Sequence, residues 1–206
     1  MNHLASHNPL IVACQQRRVR LAQIIQAKSG SGVVILSTAK EKARNRDSDF
    51  PYRHDSDFFY LTGFDEPGTT LVMLIQKTGF ESHLFCRPKD LEREIWDGYR
   101  LGPEAAPEIL HLDAAYSNSD LGKKLPEFLA NQAAIYVRLA SNAQVDHQIR
   151  DWMSQVRQQA RGGTNAPEVF HDIESLIHEM RLFKGPGEIE TMRQAAAISA
   201  EAHIRA

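Results

Sequence analysis

The chain has 206 residues, of which 42% are hydrophobic and 24% charged, the make-up of one ordinary globular domain or of one domain plus a piece of another. Twenty-four basic against 26 acidic residues leave a net charge of −2, so no global field draws the chain to nucleic acid or to an anionic membrane, and neither is expected as a partner. No stretch approaches the roughly 18 apolar residues that span a bilayer, and Met1 to Pro9 carries no signal-peptide pattern, so a cytoplasmic location is expected. Cys14 and Cys86 stand far apart, which excludes a disulfide framework or a zinc knuckle and leaves two buried thiols.

Met1 to Pro9 has no apolar period and reads as a disordered arm. Ile11, Cys14, Leu21, Ile24 and Ile25 then fall on one face at 3.6-residue spacing, which predicts a helix that ends at Ser29-Gly30-Ser31-Gly32. Val33 to Leu36 follows as a short strand. Gly30 and Gly32 precede this strand instead of following one, so a dinucleotide-binding or phosphate-binding turn fails on its context. Lys40 to Asp49 is charged, has no period and no aromatic residue, and reads as a solvated loop. Phe58 to Leu61 is an apolar, aromatic run that suits a strand; Gly63 to Gly68 supplies turn chemistry, and Thr69 to Ile75 is a second run. Strands joined this closely are expected to pair as a hairpin. The polar residues Tyr52 to Asp57 would then hold the entry to that hairpin by hydrogen bonds.

Thr78-Gly79 turns the chain into a strand at Ser82 to Cys86, and Asp90 to Trp96 reads as a short helix in a segment broken by Gly98, Gly102, Pro103 and Pro107. A helix over Pro103 to Leu110, a brief strand over Ala114 to Ser117, and a helix through Leu121, Leu125, Phe128 and Leu129 follow. Ala134 to Leu139 is the next strand. Val145, Ile149, Trp152, Met153 and Val156 mark an amphipathic helix, and Arg161 to Asn165 a loop. Ile173, Leu176, Ile177 and Met180 form a further helical face that ends near Lys184. Pro186, set between Gly185 and Gly187, opens a last helix that reaches Ala206 without a written C-cap, so this helix is expected to be cut short. Strands early and alternating helix and strand later predict an α/β fold: a mixed sheet with helices on both faces.

Nine histidines and 26 acidic residues offer many metal ligands, but only His54-Asp55-Ser56-Asp57 and His171-Asp172 cluster locally. The first suits hydrogen bonding at an element entry and the second a helix N-cap. No His-Glu-x-x-His or Gly-x-Ser-x-Gly pattern occurs, and neither cysteine has a supporting motif, so no catalytic residue and no metal ligand is assigned in this chain. Trp96, in a glycine-rich loop, reads on its own as a packing anchor.

The stretch Pro51-Tyr52-Arg53-His54-Asp55-Ser56-Asp57-Phe58-Phe59-Tyr60-Leu61-Thr62-Gly63-Phe64-Asp65-Glu66-Pro67 resembles the signature of the N-terminal domain of the aminopeptidase P family, the Xaa-Pro aminopeptidases. Further matches are Glu94-Ile95-Trp96-Asp97-Gly98, Leu101-Gly102 with Ala105-Ala106-Pro107, and His178-Glu179-Met180-Arg181-Leu182-Phe183-Lys184, in the family's order. The resemblance implies a ribonuclease-H-like domain of the creatinase N-terminal type over residues 10–184, with 185–206 as the linker and first helix of a C-terminal metallopeptidase domain. In the family that second domain holds two metal ions, taken as Mn²⁺, so this chain is expected to carry none and to be inactive alone.

The resemblance also assigns roles. The tryptophan of the Glu-Ile-Trp motif, here Trp96, helps to cover the active site of a neighbouring subunit. An arginine ahead of an Ala-Pro pair, here Arg161 before Ala166-Pro167, is similarly placed at a substrate site that crosses subunits. The expected partners are proline-containing peptides and further copies of the chain in a homo-oligomer. A different class of function, a non-catalytic module that binds peptides or proteins on its own, stands as the alternative.

Overall fold

The computed structural model describes residues 8–206. The disordered arm expected over Met1 to Pro9 lies outside the described residues except for its last two, which cap and open the first helix. Asn8 caps α1 (Pro9–Ser29), its side chain accepting from the Leu10 N–H at 2.8 Å, with Pro9 at the first helical position, where a missing N–H costs nothing. Ile11, Cys14, Arg18, Leu21, Ala22 and Ile25 recur at three- and four-residue intervals and are buried. Gly30, at φ 74°, closes the helix by donating to the Gln26 carbonyl.

Six strands form one sheet in the order β4-β3-β2-β1-β5-β6. They are β1 (Gly32–Ser37), β2 (Thr70–Ile75), β3 (Phe80–Cys86), β4 (Ala114–Ser117), β5 (Ala134–Val137) and β6 (Val169–Asp172). β1, β2 and β3 pair antiparallel, while β3–β4, β1–β5 and β5–β6 pair parallel, so the sheet is mixed as expected. Alternate residues serve two cores. Val34, Leu36, Leu71, Met73 and Tyr136 face α1, α2 (Ser56–Thr62), α4 (Gly102–Leu110) and α7 (Glu174–Leu182). Val33, Ile35, Val72, Ile135 and Val137 face α5 (Leu121–Leu129) and α6 (Ala143–Gln158), where Trp152 is 4% exposed. Helices thus cover both faces.

The strand expected at Phe58 to Leu61 is α2, and the hairpin expected there does not exist. Two caps override the β propensity of four aromatic and aliphatic residues. Asp55 accepts from the N–H groups of Asp57 and Phe58, both at 2.9 Å, and Gly63, left-handed at φ 66°, donates to the Phe59 carbonyl at 2.8 Å. The sheet's hairpin is β2–β3, turned at Gly79, and β2 also pairs with β1. β5 stops at Val137, two residues before the predicted end. Missed altogether in the sequence, β6 is a four-residue edge strand too short to show a period.

Arg18 ties three helices together from inside. It is 1% exposed and donates to Leu61 O at 2.7 Å, Leu110 O at 3.0 Å and His111 O at 2.6 Å, the carbonyl ends of α2 and α4. Two helix C-termini therefore carry the negative potential that this buried cation needs. Burial still pushes the guanidinium down to about 10. At the other extreme, α8 (Pro186–Arg205) buries no residue; Met192, Ile198 and Ile204 are exposed, and Arg17 reaches Glu188 at 3.3 Å. Among the described residues no helix is long and apolar enough to cross a membrane.

Candidate functional site

Asp55 and Asp57, from the motif Tyr52 to Asp57, are drawn into a knot of charge at the end of β5. Arg138, the first residue past that strand, donates from Nη1 to Asp55 at 2.8 Å and from Nη2 to Asp57 at 2.7 Å, while its Nε lies 2.5 Å from Glu174 without the alignment of a hydrogen bond. Asp57, 3% exposed, also accepts from Arg181 Nη1 through its second oxygen and sits 3.2 Å from His178 Nε2. One carboxylate thus joins α2, the β5 terminus and α7. Burial raises the Asp55 carboxyl, but Arg138 and the two backbone donors at the head of α2 outweigh it and hold that carboxyl below its ordinary range. The polar entry read in the sequence is a helix cap and an ion-pair lock. Its partners Arg138, His178 and Arg181 were not foreseen, although a charged residue directly after a buried strand, and an i, i+3 pair in the His178 to Lys184 motif, are the signals that point to them.

Asp57, Glu174 and His178 each bring a ligand atom within 4.8 Å of the others. They do not fit a metal centre. Both oxygens of Asp57 already meet guanidinium groups, and Glu174 faces the Arg138 Nε, so a divalent cation would have to enter beside two positive charges. The donor set is also short of the several convergent carboxylates that a two-metal hydrolase uses. Asp172, from the second cluster in the sequence, accepts from the Glu174 N–H at 2.9 Å and serves the start of α7.

Trp96 lies on a different part of the molecule. α3 (Leu91–Asp97) is capped by Asp90, whose side chain accepts from the Arg93 N–H at 3.1 Å, and ends at Gly98, φ 84°. The helix buries none of its residues: Leu91, Ile95 and Trp96 are exposed, the tryptophan at 86%. Its own residues brace it, with Arg100 donating to Asp97 at 3.0 Å, and Lys89 3.6 Å from Glu94 and over the Tyr99 ring at 4.1 Å. Such an apolar, solvent-facing projection is an interaction surface in form. Arg161 sits on a separate element, the exposed 3₁₀ turn Ala160–Gly162 after α6.

A family model described as aminopeptidase P, N-terminal domain, matches residues 14–136. The chain belongs to this family. It is 41% identical over 192 residues to the Xaa-Pro aminopeptidase of Escherichia coli, covering 93% of this chain and 43% of that protein. The Xaa-Pro aminopeptidase of Haemophilus influenzae is 36% identical over 194 residues, with 93% of this chain and 41% of the relative covered. A solved structure of E. coli aminopeptidase P with the inhibitor Pro-Leu superposes with a TM-score of 0.88 at 38% identity, over 94% of this chain and 43% of that one. Another, the Zn-substituted E. coli enzyme in complex with product, matches equally well. The chain therefore spans about two-fifths of the length of the relatives it matches, and its mixed α/β fold is shared with the solved E. coli structures.

Proposed function

We propose that this domain serves a metal-dependent Xaa-Pro aminopeptidase by assembling subunits and narrowing access to the active site, so that peptides with proline second are the ones cleaved. The observation that carries this reading is the 86% exposure of Trp96 on a helix that buries nothing of its own domain. A large flat ring left in water gains most by covering something else, and tryptophan offers a rigid apolar wall for a proline ring. Arg161, also free of the core, supplies a fork that can fix a carbonyl or carboxylate of the peptide. Two Mn²⁺ ions would be held by a second domain whose linker and first helix are residues 185–206, with α8 as that helix; the exposed apolar residues of α8 support this division.

The test is kinetic. With the domain joined to its catalytic partner, Trp96→Ala and Arg161→Ala should each lower the preference for proline-second over alanine-second peptides, in kcat/KM, by about tenfold, the worth of one good binding contact of about 1.4 kcal/mol. Unchanged preference in both variants overturns the access role. Peptide binding by this chain alone, with no effect of either change on turnover, would support a stand-alone binding module instead.

A further inference from the structure

Both roots of the Trp96 arm return to one carboxylate. β3 ends at Cys86 and α4 begins at Gly102, so the arm leaves the sheet through Arg87 to Lys89 and returns to the body through Arg100 and Leu101 at the start of α4. These roots lie against each other: a Cβ placed on Gly102, whose φ is +76°, would meet Lys89 Cγ at 3.0 Å and the Lys89 backbone nitrogen at 3.5 Å. With nothing of α3 buried, the direction in which Trp96 points is set at these roots and by the braces inside the arm.

Glu66 comes from the turn between α2 and β2 and is 8% exposed. Its Oε1 accepts the Leu101 N–H at 2.7 Å, on the returning root. Its Oε2 faces Arg87 Nη2 at 3.9 Å, on the leaving root, and has no hydrogen-bond partner. Arg87 itself lies over Gly68, with its Cγ 3.7 Å from where a Cβ there would stand. A buried carboxylate with one oxygen left without a hydrogen bond is a costly way to fill space, because ionised groups lose their hydration on burial. It is a good way to hold a backbone N–H and a guanidinium at once.

We propose that Glu66 is a positioning residue that joins the two roots of the arm and thereby fixes the station of Trp96; the proposal rests on the reading of Trp96 as a wall at the substrate site. The carboxylate bonds the returning root directly and attracts the leaving root by charge. Loss of the side chain frees the arm as a unit, while the sheet and the α6 face that holds Trp152 stay as they are.

The chain has two tryptophans, so labelling with 5-fluorotryptophan gives two ¹⁹F signals, assigned by Trp96→Phe. In Glu66→Ala the Trp96 signal should narrow as the arm gains motion, and the Trp152 signal should not change. The Leu101 amide should exchange at least about tenfold faster relative to that of Val34 in β1, the loss of one hydrogen bond to a charged acceptor. Glu66→Gln keeps an oxygen for the Leu101 N–H and should restore most of that protection. Equal acceleration at Leu101 and Val34, with glutamine no better than alanine, would make Glu66 an ordinary part of the core and overturn the proposal. An unchanged Trp96 signal overturns it as well. If Glu66→Ala does not fold, Arg87→Met tests the other root by the two ¹⁹F signals: a narrowed Trp96 line beside an unchanged Trp152 line is expected, and an unchanged Trp96 line overturns the proposal. None of these readouts involves peptide turnover, so they stand or fall separately from the discrimination assay for Trp96.

Discussion

The Asp57 knot and the Trp96 arm are both charge-rich segments beside buried strands, and they are held in opposite ways. At the knot, a 3% exposed carboxylate meets Arg138, Arg181 and His178 from two other elements, and the surrounding helices are packed into the core. At the arm, a seven-residue helix buries nothing, and one carboxylate, Glu66, faces its two roots. The difference separates residues that maintain the domain from residues the domain displays. Charge and aromatic content alone do not make that separation; what decides is whether a side chain's partners lie on other elements of the same fold.

The comparison is tested most severely in the body. Trp152 fills the α5–α6 face at 4% exposure, and Trp152→Ala should cost about 3–5 kcal/mol in urea melts, the range for removing a buried aromatic ring. A cost under about 1 kcal/mol would mean that this core can collapse around the gap. Asp57→Ala leaves Arg138 and Arg181 without their shared carboxylate and should cost about 3 kcal/mol, at the lower end for a broken buried pair because both guanidiniums retain access to water. If Arg138→Ala and the double variant Asp57→Ala with Arg138→Ala cost the same as Asp57→Ala alone, the pair acts as one unit; additive costs would show independent roles.

Acid should draw the same contrast with opposite signs. Asp55 titrates below its ordinary range in the fold, so the unfolded chain binds its proton first, and the stability it contributes is present above about pH 4 and lost as pH falls through the lower folded value. Glu66 is the reverse: burial raises its carboxyl, against the Leu101 N–H, Arg87 and Arg100 and with the help of Asp65. Between about pH 4.3 and that raised value the folded state holds the extra proton, so this group's contribution falls as pH rises. Urea melts from pH 3 to 7 should therefore show the wild-type advantage over Asp55→Asn growing with pH, and that over Glu66→Gln shrinking. The same slope for both would break the distinction.

Much of this organisation was legible in the chain. The heptad-like spacing of α1, the apolar stripe of α6 with Trp152, and the Gly185-Pro186-Gly187 start of α8 stand where periodicity and capping rules put them, because long elements average over many residues. Among the short elements, α3, α4, α5 and β4 stand as read, while α2 and β6 do not. Phe58 to Leu61 has strand propensity, and only the Asp55 cap and the Gly63 stop, both written in the sequence, mark it as α2. The knot could be read only in half: Asp55 and Asp57 are local, but Arg138, Glu174 and Arg181 arrive through strand order and helix placement, which no spacing encodes. Glu66 was hidden for the same reason, its partners being 21 and 35 residues away in sequence.

The smallest expected effect is the most informative. On bare sequence Trp96 is an anchor for its glycine-rich loop, and the family resemblance makes it a displayed residue; the structure gives the ring 86% exposure, and Trp152, the internal reference, 4%. Truncating a side chain costs stability according to the packing it removes, and a ring that is almost wholly in water packs against little, so Trp96→Ala should stay within about 0.5 kcal/mol of the parent. Its α3 neighbours Leu91 and Ile95 are exposed too, so no compensating collapse is available to disguise a larger loss. The measurement is a pair of urea melts on the two alanine variants, with the slopes compared to confirm that the same surface is exposed on unfolding. If Trp96→Ala destabilises the domain as much as Trp152→Ala does, the indole packs against its own chain in solution, and the arm is one more part of the body. If the two differ as expected, whatever selective pressure falls on Trp96 acts through a surface outside this domain, which is where a wall over a substrate would have to face.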